Sequence, residues 1–136
     1  MSMGGWPDGW TLAHGDLGGL WGLTDWSTRT IWLDRRLRQV EARATLAHEL
    51  EHVRRGRLPA DRRLAAREEA EVEQAAARKL IGLHALGDAL AWARCLAEAA
   101  DELGVDEPLL ATRLEHLHPS ERAWLRDRVA RRVEGA

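Results

Sequence analysis

The run His48-Glu49-Leu50-Glu51-His52 sets two imidazoles four residues apart, with a carboxylate directly after the first. Imidazoles at that separation share one face of an α-helix and can grip a single metal ion, while a glutamate beside them can take a proton from water. The chemistry on offer is metal-assisted hydrolysis. It requires the run to be helical, and the surrounding text agrees. From about Leu37 to Arg55 the residues are mostly long-chain and Ala-rich, without Gly or Pro until Gly56 and Pro59. At about 100° per residue, His52 falls roughly 40° from His48, whereas Leu46, Leu50 and Val53 fall roughly 140–200° away. The imidazoles therefore face away from the apolar stripe, as in a helix with core on one side and a metal cleft on the other. The competing reading is accidental spacing on an amphipathic helix, and the next helix argues against it.

Zinc needs a third protein ligand and an open position for water, and a carboxylate from a following helix is one way to supply the ligand. A helix expected from Asp61 to Ile81 offers Glu68, Glu69, Glu71 and Glu73. With Glu69 as zero, Ala65, Val72, Glu73, Ala76 and Leu80 lie within about 60°, Glu68 is off by about 100° and Glu71 by about 160°. Only Glu69 and Glu73 share the apolar face, where a carboxylate is costly unless paired or metal-bound. Glu69 is therefore the expected third ligand of one zinc per chain. Glu73, one turn later, is expected to accept the free N–H of a ligating histidine and fix its tautomer. The competing reading makes all four acids a solvated charge run paired with nearby arginines.

The elements that must position these groups read as follows. The 136 residues, 45% hydrophobic and 31% charged, suit one folded domain spanning 1–136. Residues 1–9, rich in Gly, are expected to be a flexible leader. Short runs at Trp10 to Ala13, Leu20 to Leu23 and Thr30 to Leu33, separated by Gly, Asp and Ser, read as three strands. Gly82 and Gly87 are taken as breaks before a third helix, Asp88 to Leu103. Glu107 to Leu117 and Pro119 to Val133 complete a helical portion over 84–136. The expected fold is α+β: a small three-stranded antiparallel sheet packed on the active-site helix and the glutamate-bearing helix, then a helical C-terminal segment.

Other features narrow the function. A net charge of −2 gives no global pull towards nucleic acid or an anionic membrane. Residues 96 to 117, with Gly104-Val105 between helices, allow a helix-turn-helix reading. Glu107 and Glu115 flanking Arg113 argue against it, and direct nucleic-acid binding is not expected. The single cysteine, Cys95, reads as a small core residue and calls for no oxidising compartment. With no export signal and no membrane-length apolar stretch, a cytoplasmic location is expected and no membrane partner. Seven tryptophans stand against no Phe or Tyr, and most are expected to anchor core or strands. The lack of Tyr removes the phenol as an oxyanion donor, and none of His84, His116 or His118 is assigned to replace it.

Thr45-Leu46-Ala47-His48-Glu49-Leu50-Glu51-His52-Val53, followed by Glu69-x-x-Val72-Glu73-x-x-Ala76-Ala77-x-x-Leu80-Ile81, resembles the ImmA/IrrE family of metallopeptidases, its short actinobacterial and phage members most of all. Val72, Glu73 and Ala75 stand where the family pattern has Ala, Asp or Asn, and Phe. Thr30-Ile31-Trp32-Leu33-Asp34 resembles the family's strand before the active-site helix, and the likeness covers about residues 10 to 118. It implies a gluzincin-like zinc endopeptidase, intracellular and often associated with mobile elements, whose partner is a helix-turn-helix transcriptional repressor that it cuts or inactivates. Glu49 would then be the catalytic base. The strand Thr30, Ile31, Trp32 and Leu33 is expected to border the cleft and bind substrate by main-chain pairing, as edge strands can. The alternative is a metal-bound sensor or adaptor that engages a transcriptional regulator without cutting it.

Overall fold

The computed structural model describes residues 5–134. Of the expected leader, residues 1–4 lie outside the described residues. In the remainder the chain turns at Asp8 and Gly9, and Trp6 Nε1 donates to the carbonyl of Trp10 at 2.7 Å. Two compact units are distinguished, Met1–Val72 and Glu73–Ala136, and the division between them falls inside a helix.

The first unit begins with three strands, β1 (Thr11–Gly15), β2 (Gly22–Asp25) and β3 (Thr30–Asp34). The expected antiparallel sheet is in fact mixed. Its order is β1-β3-β2, with β1 parallel and β2 antiparallel to β3. The reason lies in the connections. Asp25 Oδ1 accepts from the Ser27 amide at 3.0 Å and the Ser27 hydroxyl at 2.6 Å, which closes β2 and β3 into a hairpin. The segment between β1 and β2 straps over the end of β3 and is pinned there by Asp34, whose Oδ2 accepts from the Leu17 amide at 3.0 Å. The chain thus crosses β3 and returns on its far side, so β1 and β3 run the same way. Asp34 is buried, and the Arg36 guanidinium together with the Leu17 and Arg36 amides holds its carboxyl well below the usual carboxylate range.

Six helices follow among the described residues: α1 (Gln39–Arg55), α2 (Arg62–Leu80), α3 (Leu83–Trp92), α4 (Leu96–Leu103), α5 (Glu107–Glu115) and α6 (Pro119–Glu134). Glu41 caps α1 by accepting the Arg38 amide at 2.9 Å, and Asp61 caps α2 by accepting the Arg63 amide at 2.9 Å and the Leu64 amide at 3.0 Å. Helix α1 lies against β2 and β3. Its buried residues are Thr45, Glu49, Glu51 and His52, while Leu46, Leu50 and Val53 are only half-buried.

The second unit corrects several expectations. Gly87 does not break a helix; it lies buried within α3, where a Cβ would come 2.6 Å from the Trp124 ring. The glycine serves close packing of α3 against α6. The break comes later, at Ala93–Cys95, where Glu98 Oε1 accepts the Arg94 amide at 2.7 Å and starts α4. Cys95 is exposed rather than core. No tryptophan is fully buried among the described residues, and the core is built from Ile, Leu, Val and Ala. Arg113, in the would-be reading helix, is 3% exposed. Its Nε donates to the Ile81 carbonyl at 2.9 Å and its Nη2 to Glu121 Oε2 at 3.0 Å. A guanidinium so enclosed is not presented to a base edge. Glu121 also accepts from Arg78 Nη2 at 2.9 Å, and Arg113 above all holds its carboxyl down to about 2. Among the described residues no helix is long and apolar enough to cross a membrane.

Candidate metal centre

All three expected ligands belong to the first unit, two on α1 and one on the opening half of α2. Four-residue spacing stacks the two imidazoles on one face of α1, with ring centroids 4.8 Å apart. Glu69 meets them from α2: its Oε1 lies 2.7 Å from His52 Nε2 and 3.3 Å from His48 Nε2. One donor atom from each of His48, His52 and Glu69 lies within 4.8 Å of the other two, a group able to hold a metal ion.

The donor set and its spacing can be compared with what zinc requires. With metal–nitrogen and metal–oxygen distances of about 2.0–2.1 Å, the edge of a tetrahedron is roughly 3.3 Å. The Glu69–His48 separation of 3.3 Å matches that edge, and the 2.7 Å contact to His52 needs only a small opening. Two imidazole nitrogens and one carboxylate oxygen leave a fourth position for solvent. Exposure is graded to suit this: the His52 side chain is 10% exposed and that of Glu69 46%, so the group is walled by α1 and open on the Glu69 side.

Glu69 is therefore not embedded in an apolar stripe, as its helical phase suggested. Burial on α2 sets in only at Val72, Ala76 and Ala77, and Glu73 is exposed, so the burial that singled out Glu73 is not found. Glu68 and Glu71 follow the competing reading, an arginine-paired charge run. Arg55 donates from Nε to Glu68 Oε2 at 2.8 Å, and from Nη2 to Glu68 Oε1 at 3.0 Å and to Glu71 Oε2 at 2.9 Å.

Glu49 makes none of the close contacts within the ligand group. It is buried, and its Oε1 accepts from the Thr24 hydroxyl at 2.8 Å. This contact depends on a close approach of β2 to α1. A Cβ on Gly22 would stand 2.5 Å from Thr45 Cγ2 and 3.2 Å from Glu49 Cγ, so only glycine fits. No local motif marks Thr24 or Gly22, because their role follows from strand register.

The strand expected to pair with substrate needs correction. Thr30, Ile31, Trp32 and Leu33 form the centre of the sheet, with β1 on one side and β2 on the other, and both sides of their main chain are engaged. The open edge next to α1 belongs to β2. The Asp34 amide donates to the Trp21 carbonyl at 2.9 Å. Alternation along an antiparallel ladder then turns the main-chain groups of Leu23 and Asp25 towards β3 and those of Gly22 and Thr24 outward. Set against protein-family models, curated proteins and solved structures, the chain matches none of them.

Proposed function

We propose that this chain is a zinc endopeptidase of the ImmA/IrrE kind, with His48, His52 and Glu69 holding the ion and Glu49 acting as base. Its substrate is a protein, a helix-turn-helix repressor. The observation that carries this reading is the juxtaposition of a three-donor group with a separate carboxylate, Glu49, oriented by Thr24 beside the open edge of β2. A purely structural metal site has no use for that fourth, unligated group. Zinc, when bound, supplies Lewis acidity that polarises the scissile carbonyl and acidifies water.

The chain's own residues do the rest. An extended peptide pairs with the outward main-chain groups of Gly22 and Thr24, which fixes its carbonyl beside Glu49. Glu49 takes a proton as the water oxygen bonds to the carbonyl carbon, and gives it to the departing nitrogen as the C–N bond breaks, leaving a carboxylic acid and an amine. The Thr24 hydroxyl occupies one Glu49 oxygen and leaves the other for this transfer. A second reading, a metal-bound adaptor, draws on the absence of Tyr, which removes one familiar oxyanion donor.

Glu49→Gln separates the two. The variant is expected to keep its zinc, measured by elemental analysis, and its melting temperature. Cleavage of repressors encoded next to it, followed by intact mass, should fall by about two to four orders of magnitude. An adaptor would keep its full effect on its partner. If the zinc-loaded variant processes the repressor at the unaltered rate, Glu49 is not the base and the mechanism fails.

A further inference from the structure

Arg55 lies three residues after His52, and at about 100° per residue His48, His52 and Arg55 fall within roughly 60° of one another on α1. That face therefore presents two metal-binding imidazoles and one guanidinium fork. The fork grips Glu68 through two bonds and Glu71 through a third. On α2, Glu68 and Glu71 are about 60° apart, whereas Glu69 points about 100° from one and 160° from the other. The tie is thus made to the flank of α2 adjoining Glu69, and it fixes how far the helix is rolled about its axis. The required accuracy is high. Side-chain atoms lie roughly 5–6 Å from a helix axis, so a roll of about 10° displaces one by about 1 Å. A metal site tolerates only about 0.2 Å in its ligand distances.

We propose that Arg55 is a positioning residue for the metal centre: by holding Glu68 and Glu71 it sets the rotation of α2 that delivers Glu69 to the two histidines, and it keeps those neighbouring carboxylates off the ion. This deepens the metal-centre reading and rests on it. An ordinary surface ion pair would contribute little. A purely Coulombic role carries the opposite sign, because removing a cation near a dication site strengthens metal binding, whereas removing a positioning group weakens it.

The test uses zinc alone, titrated against a competing chelator, with cobalt(II) absorption as a second readout of ligand geometry. Arg55→Gln is expected to lower zinc affinity about 10- to 100-fold, the range for partners that orient a ligand, and to alter the cobalt spectrum. Arg55→Lys keeps the charge but not the fork, and should lose several-fold. Arg62→Gln, an equal charge removal on α2, should match the unaltered protein. Zinc binding by folded Arg55→Gln that is as tight as the unaltered protein's, or tighter, overturns the proposal. If Arg55→Gln does not fold, unchanged affinity and spectrum in Arg55→Lys overturn it instead. A lack of zinc binding by the unaltered protein sinks the metal centre itself and the Arg55 proposal with it, and the two failures are told apart by that first titration.

Discussion

Glu69 in the first unit and Glu121 in the second have nearly the same surroundings by distance. One oxygen of Glu69 is shared by His52 and His48 at 2.7 and 3.3 Å, and one oxygen of Glu121 is shared by Arg78 and Arg113 at 2.9 and 3.0 Å. Their chemistry diverges with the partners. Guanidiniums are permanent cations with donors only, so Glu121 is neutralised by protein and its cluster is complete. Neutral imidazoles carry lone pairs, so around Glu69 three electron-pair donors converge and a cation is what would satisfy them together. Access differs in the same sense, with the Glu121 side chain 12% exposed and that of Glu69 46%. Contact geometry alone does not separate a structural cluster from a functional one; the lone pairs of the partners and the openness of the group do.

The largest effect that would sharpen this contrast is on metal. Glu69→Gln should weaken zinc binding by about three orders of magnitude, beyond the 10- to 100-fold of an outer partner, while Glu121→Gln leaves it unchanged. Glu68→Gln and Glu71→Gln each loosen only part of the Arg55 tie and should lose several-fold at most. Equal loss in all of these, by elemental analysis after dialysis, would erase the distinction. Next in size, Arg113→Met should cost about 3 kcal/mol in urea unfolding without altering zinc affinity, because it removes the buried member of the cluster, takes one of two cations from the half-buried Glu121 carboxylate and leaves the Ile81 carbonyl without its donor. A stability-neutral Arg113→Met would show that the cluster adds nothing. The smallest effect concerns pH. Folding lowers the Glu121 carboxyl from its ordinary 4.5 to about 2, so its stabilisation is complete above about pH 4.5 and is lost as pH falls towards 2. The stability gap between the unaltered protein and Glu121→Gln should close across that window, and a gap independent of pH would contradict the assignment.

What the sequence disclosed was local and periodic. His48, Glu49 and His52 fall at a spacing that a helix converts directly into a shared face, and the phase of α2 set Glu69 and Glu73 apart from Glu68 and Glu71, although neither has the burial it implied. Helix bounds for α1 and α2 were legible from Gly56, Pro59 and the Asp61 cap. What depended on distant pairing was not legible. The parallel placement of β1 follows from Asp34 pinning a strap seventeen residues upstream, as its bond to Leu17 shows. The contact between Thr24 and Glu49 spans twenty-five residues. Gly87 read as a breaker because its true reason, the Trp124 ring, lies on another helix. The expected burial of Glu73 and Cys95 is not found because phase and apolarity describe which residues could be buried, whereas exposure depends on what lies opposite.

The narrow approach at Gly22 reverses the usual distribution of evolutionary constraint along a strand. Trp21, just before β2, and Leu23 within it are the large apolar residues here, yet they are 49% and 44% exposed. The smallest residue is the fixed one, since any side chain at 22 would meet Thr45 at 2.5 Å and lever the strand off the helix that carries Glu49. Divergent copies of such a chain would drift faster at the exposed apolar residues on either side of Gly22 and slowest at the one position with no side chain.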